Sequence, residues 1–314
     1  MAAPLLEIRN VKKYYPVKKV RNGEDIVVKA VDQINLTINQ GEIVGLVGES
    51  GCGKSTLGKT VLKLHSITDG QILFHGEDIT CYNENQMRPL REKIQIIFQD
   101  PYASLNPKKK ISQSIMAPLN VTKKYSKEEK QKKVVEIMKE VGLSEKFLEK
   151  YPHEMSGGQR QRIGIARALV MEPKLVIADE PISALDVSIR AQVLNLLSEL
   201  QKKKGFTYLF IAHDLSIVRF ISDRVAVIHK GKIVELAETE KLYSHPLHPY
   251  TKALLSAIPQ PDPLTERKKV VEVYDPSCHH YETDKPEWTE IEEGHFVLAN
   301  KEEQQNYKEV LKRG

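Results

Sequence analysis

The feature that most restricts this chain is Gly48-Glu49-Ser50-Gly51-Cys52-Gly53-Lys54-Ser55, which fits G-x-x-x-x-G-K-[ST] at every fixed position. It follows the apolar run Ile43–Val47 and precedes a helical run. That strand–loop–helix setting is where such a loop cradles phosphate. Glycines let the backbone turn tightly so that its N–H groups point inward, and the following helix adds the positive end of its dipole. On this reading Lys54 reaches the outer phosphates and the Ser55 hydroxyl ligates Mg²⁺. Cys52 fills a free position of the loop, where packing is favoured over chemistry, although a thiol reagent there could block nucleotide entry.

A strand feeding such a loop belongs to a parallel α/β sheet, and the rest of the chain supplies one. Ile26–Val31, Ile34–Ile38, Ile94–Phe98, Leu175–Ala178, Tyr208–Ala212 and Val225–Ile228 read as further strands. Val134, Val135, Ile137, Met138 and Val141 follow helical spacing, as do Val193, Leu194, Leu196, Leu197 and Leu200. The runs before residue 40 sit close together, as in a small antiparallel β layer. The lysine-rich stretch from Ser112 to Tyr151 reads as a helical insertion, taken on to about residue 170. This organisation puts one domain over 1–259. Beyond it, Pro259, Pro261, Pro263, Pro276 and Pro286 punctuate a polar C-terminal appendage over 260–314, which by composition is loosely packed.

Two strands end in acids or polar groups that matter for chemistry. Leu175-Val176-Ile177-Ala178-Asp179-Glu180 places Asp179 to hold Mg²⁺ and Glu180 to polarise a water attacking the terminal phosphate. Gln99 follows Ile94–Phe98 and His213 follows Tyr208–Ala212. Either alone could be structural, but ligands of parallel sheets sit beyond the carboxyl ends of strands, where all of these residues converge.

Other functions are disfavoured by composition. The +5 net charge comes with short runs such as Lys108-Lys109-Lys110 and Lys202-Lys203-Lys204, which suit a solvated surface rather than nucleic acid. Cys52, Cys81 and Cys278 form no Cys-x-x-Cys pair, against a disulfide framework or a zinc site. Met1 to Asn10 lacks the basic start and apolar core of a signal peptide, and no apolar run approaches membrane-spanning length. A membrane role would require docking onto partners.

Met155-Ser156-Gly157-Gly158-Gln159, followed by Arg160-Gln161-Arg162, resembles the signature motif of ABC ATPases, with Met155 where Leu is commonest. The phosphate loop, Gln99, Asp179-Glu180, Ser183-Ala184-Leu185-Asp186 (the D-loop) and His213 stand in that family's order over about residues 5 to 235. The resemblance implies a P-loop NTPase fold that binds ATP with Gly48 through Thr56 and hydrolyses it with Lys54, Glu180 and His213. It also implies Mg²⁺ held by Ser55, Gln99 and Asp179, with Tyr15, or its competitor Tyr14, against adenine. Two such domains pair head to tail, so Ser156, Gly157, Gly158 and Gln159 would meet a nucleotide bound by the partner, with Ser183 and Asp186 at the junction.

A narrower resemblance joins Phe98-Gln99-Asp100-Pro101-Tyr102-Ala103-Ser104-Leu105-Asn106-Pro107 to Tyr151-Pro152-His153-Glu154 and His245-Pro246-Leu247-His248-Pro249-Tyr250-Thr251. These are similar to the oligopeptide/dipeptide/nickel import branch, and Lys12–Val17 with Tyr274–Trp288 look most like its oligopeptide F-type ATPases. That branch implies a bacterial ATPase at the cytoplasmic face of the cell membrane. Its partners would be a second, different ATPase, two membrane-spanning permease subunits and an extracytoplasmic substrate-binding protein. Nickel or another small solute, and a soluble ABC ATPase acting on nucleic acid, are the competing readings. Some branch members hold an iron–sulfur cluster in a cysteine-rich tail; with only Cys278 there, no cluster is expected.

Overall fold

The computed structural model describes residues 3–18, 26–122, 124–259 and 269–313; Pro261, Pro263 and the expected start of the tail at 260 lie outside them. The strands are β1 (Pro4–Lys18), β2 (Ile26–Asn39), β3 (Ile43–Val47), β4 (Asp69–Phe74), β5 (Glu77–Asp78) and β6 (Ile94–Ile97). They continue with β7 (Leu175–Asp179), β8 (Thr207–Ala212), β9 (Arg224–His229), β10 (Lys232–Glu238), β11 (Glu287–Glu292) and β12 (His295–Ala299). Among the described residues they form two sheets, one ordered β2-β1-β4-β5 and one ordered β11-β12-β10-β9-β3-β8-β7-β6.

From β9 to β6 the large sheet is parallel. Strands β3, β7 and β8 are buried at every residue, as strands covered on both faces must be. The two-residue period of β8 divides its side chains between two cores. Tyr208, Phe210 and Ala212 join the helical face, with Ile115, Met138, Ile163 and Leu197. Leu209 and Ile211 join the other face, with Leu57 and the antiparallel sheet. The helices Ile111–Val121 and Lys127–Glu140 make up the insertion, followed by the helix Gly157–Leu169.

Three expectations about the flanks are corrected. Ile26–Val31 and Ile34–Ile38 are not separate strands: they join as β2 through Gln33, whose φ of 58° bends the strand without ending it. Their antiparallel partner is β1, where Leu5, Leu6, Ile8 and Val11 are buried, together with β4 on its other side. Ile94–Phe98 stops at Ile97, and Phe98 faces solvent. The tail is not loosely packed: β12 pairs with β10 (Glu235↔Val297, Leu236↔Phe296) and β11 pairs with β12, extending the main sheet. Burial alternates along β12, so Val297 and Ala299 pack with Leu247 and with Tyr307 of the helix Lys301–Arg313.

Candidate active site

The phosphate loop leaves β3 and enters the helix Lys54–Val61. Gly53 takes φ of 109°, and a Cβ built there would lie 2.0 Å from the Ala30 oxygen, so only glycine fits. A Cβ on Gly48 would lie 2.1 Å from the Ile228 oxygen at the end of β9. Lys54 is buried, and its ammonium donates to Gly48 O at 2.7 Å and Glu49 O at 2.8 Å. Cys52 is buried 3.7 Å from that ammonium, and burial pushes its thiol above the ordinary value despite the nearby charge.

The other strand ends meet this loop. Ser55 Oγ donates to Asp179 Oδ1 at 2.7 Å. Burial raises the Asp179 pKa, and that hydrogen bond works against the shift. Glu180 follows β7 with φ of 46°, a left-handed conformation costly for a side-chain-bearing residue, and its N–H donates to Ile211 O at 3.0 Å. Its Oε2 accepts from Gln99 Nε2 at 3.1 Å and lies 3.3 Å from His213 Nδ1. Ser50 through Thr56, Gln99, Glu180 and His213 thus line one cleft of about 690 Å³, a volume that suits a nucleotide.

Val28, Lys29, Ala30, Lys230 and Gly231 also line the cleft, and sequence reasoning missed them. They belong to β2 and to the turn between β9 and β10. Gly231 N donates to Cys52 O at 2.9 Å while its own carbonyl accepts from Asp32 N at 2.8 Å, tying that turn to both sheets. The Lys230-Gly231 pair after a strand was the available signal. Tyr15 does not line the cleft: it pairs with Val28, which does, and meets His65 edge-on at 6.1 Å. Tyr14 is committed elsewhere, its hydroxyl donating to Asp32 at 2.5 Å.

The signature residues stand apart from this cleft. Ser156 caps the helix Gly157–Leu169: its Oγ accepts from Gln159 N at 3.3 Å, and Gln159 Oε1 accepts from Ser156 N at 3.0 Å. Ser156 and Gly157 are exposed. A Cβ on Gly158 would strike Ile189 at 2.6 Å, but one on Gly157 would come no nearer than 4.0 Å to Leu185. Packing therefore demands glycine at 158 and leaves the bare backbone at 157 unexplained within the chain. Ser183 Oγ donates to the Glu180 carbonyl at 3.1 Å, and exposed Asp186 precedes the helix Val187–Lys204.

A glycine-built phosphate cradle at the carboxyl edge of a parallel sheet defines a P-loop nucleotide-binding domain. Residues 31–183 match the ABC transporter family, and residues 234–283 match the oligopeptide/dipeptide transporter C-terminal region. The chain is 58% identical over 284 residues to the oligopeptide transport ATP-binding protein AmiF of Streptococcus pneumoniae, covering 90% of this chain and 92% of that one. It is 51% identical to the oligopeptide transport ATP-binding protein OppF of Bacillus subtilis, over 96% of this chain and 98% of that one. Among solved structures, the ATP-binding cassette MJ0796, in a dimeric post-hydrolysis state bound to ADP and Pi, superposes with a TM-score of 0.67 at 30% identity. It covers 75% of this chain and 99% of that one. The chain therefore belongs to the ABC transporter ATPases, in the group that carries the oligopeptide/dipeptide transporter C-terminal region.

Proposed function

We propose that this ATPase powers the import of oligopeptides or dipeptides through two membrane-spanning permease subunits, paired with a second ABC ATPase and fed by an extracytoplasmic substrate-binding protein. The observation that carries the chemistry is Glu180, set between Gln99 and His213 beside the phosphate cradle. The peptide assignment rests on residues 234–283 and on relatives named for oligopeptide transport. No helix among the described residues is long and apolar enough to cross a membrane, which agrees with a peripheral subunit working beneath partners.

The residues divide the work by chemistry. Lys54 neutralises the outer phosphates, with the loop amides and the helix N-terminus around it. The Ser55 hydroxyl and Asp179 carboxylate, already 2.7 Å apart, offer with Gln99 the hard oxygen donors that suit Mg²⁺. When bound, that ion supplies charge neutralisation on the phosphates. Glu180 accepts the proton of the attacking water and His213 holds its carboxylate in place. Ser156, Gly157 and Gly158 offer a hydroxyl and free amides to a nucleotide held by the partner ATPase, which explains the glycine at 157. Contact from both sides closes the pair, and hydrolysis releases it. The cleft of about 780 Å³ between the helices Glu84–Leu90 and Ile111–Val121, lined by Pro89, Pro118 and Val121, is the surface we assign to the membrane partner.

Purification from native membranes in mild detergent, through a tag after Gly314, tests this. Two membrane-spanning subunits and a second, different ATPase are expected to accompany the chain, with a binding protein that takes peptides. A soluble homodimer, ribosomes or nucleic acid in their place would overturn the import reading.

A further inference from the structure

Behind the phosphate loop lies a group of buried and half-buried rings from the C-terminal third of the chain. Tyr250, on the helix Pro249–Ser256, packs 4.1 Å from the His229 ring and 5.4 Å from the Tyr274 ring. Tyr274 also meets His248 and His279. One polar atom of this group reaches the loop: the Tyr250 hydroxyl oxygen accepts the Glu49 N–H at 3.2 Å. The Gly48 carbonyl belongs to the same peptide unit and accepts the Lys54 ammonium at 2.7 Å. A peptide unit is rigid and planar, so a hold on its N–H fixes the direction of its C=O.

We propose that Tyr250 is a positioning residue for ATP binding, its hydroxyl setting the plane of the Gly48–Glu49 peptide and thereby the place of the Lys54 ammonium. The proposal rests on the ATP-binding role of the phosphate loop. Tyr250 is itself aimed by a continuous set of buried hydrogen bonds. His248 Nδ1 accepts from Tyr250 N at 3.1 Å, capping the helix. The fully buried Glu235 of β10 accepts from Leu247 N at 2.8 Å and His248 N at 3.0 Å. His295 of β12 places Nε2 at 2.8 Å from the same carboxylate. The tail hairpin is thus joined through Glu235, His248 and Tyr250 to the loop that carries Lys54. Burial keeps the His248 ring neutral, pushed down to about 3, so its Nδ1 lone pair is free to accept. Burial likewise raises Tyr250, which stays protonated.

The test uses the assembled transporter and initial hydrolysis rates across MgATP concentrations, with Tm measured on each variant. Hydrolysis by the wild type secures the underlying reading, so a null result in a variant speaks against the Tyr250 strut alone. Tyr250→Phe keeps the ring contacts and removes only the acceptor. KM for MgATP is expected to rise about threefold to tenfold with kcat within about twofold, as loss of a single hydrogen bond at a binding loop should give. Tyr274→Phe, in the same ring group without a bond to the loop, is expected to leave both parameters and Tm unchanged. An unchanged KM in Tyr250→Phe would overturn the proposal. So would a matched fall of kcat and Tm in both variants, which would make the group a packing element only.

Discussion

The cleft at Gly48–His213 and the signature segment Ser156–Gln159 carry the same kinds of group, glycine amides, a hydroxyl and a helix N-terminus, but they are finished to different degrees. In the cleft, Lys54 already holds the loop carbonyls, Ser55 holds Asp179 and Gln99 holds Glu180. At the signature end, the Ser156 and Gln159 side chains bond to each other's backbone, and Gly157 lies exposed beside them. On the proposed function, the first is a complete cradle and the second is half of a site that the partner ATPase completes. A lone domain should therefore bind nucleotide, while turnover should depend on a neighbour.

Three substitutions separate the two regions. Glu180→Gln should lower ATP turnover in the assembled complex about 10²- to 10⁴-fold while nucleotide still binds, because only the proton acceptor is lost. Parallel rate and equilibrium-binding measurements check it, and unchanged hydrolysis would remove Glu180 from the role. Lys54→Ala should weaken nucleotide binding by the isolated chain about a hundredfold, as loss of charge-assisted bonds predicts. Fluorescent-nucleotide titration reads this directly. Ser156→Ala should leave that titration unchanged and lower turnover of the complex about tenfold, with about 1 kcal/mol lost from the helix cap. Weaker binding by the isolated Ser156→Ala chain would contradict the division into two regions.

The smallest effect is one of stability and pH. The folded chain holds His248 down to about 3 by burial, whereas the unfolded chain protonates it below about 6.5. Its contribution is therefore complete above about pH 6.5 and is lost at about 1.4 kcal/mol per unit as pH falls toward 3. Tm should drop between pH 7.5 and 5.5. His248→Asn, which retains a side-chain cap for Tyr250 N, should flatten part of that drop. Burial lowers His229 as well, so some acid sensitivity should remain.

The phosphate loop, Gln99, Glu180 and His213 were legible in the sequence because each follows an apolar strand, and a parallel sheet lines up those ends at one edge. The signature segment was legible as a motif; its separation from the cleft is a matter of three dimensions. The tail was misread for a physical reason. Its apolar content is low on average but concentrated in Phe296–Ala299, a run inside a five-residue strand that pairs with β10 and buries Val297 and Ala299. β1 escaped for the opposite reason: polar residues such as Lys12 and Lys13 interrupt it, and register shifts after Ile8 and Val11 blur its period. Val28 to Ala30 reach the cleft through strand pairing that no residue type announces, whereas Lys230-Gly231 at the end of β9 was a turn signal left unread.

The most direct test of the central claim traps the assembled complex with MgADP and orthovanadate and irradiates it, so that the backbone is cut where it touches the vanadate in place of the terminal phosphate. Two cuts are expected in this chain, one at the phosphate loop near Ser55 and one near Ser156, the second made by nucleotide on the partner ATPase. Cleavage at Ser55 alone, in a complex shown to be trapped at both nucleotide sites, would contradict that claim.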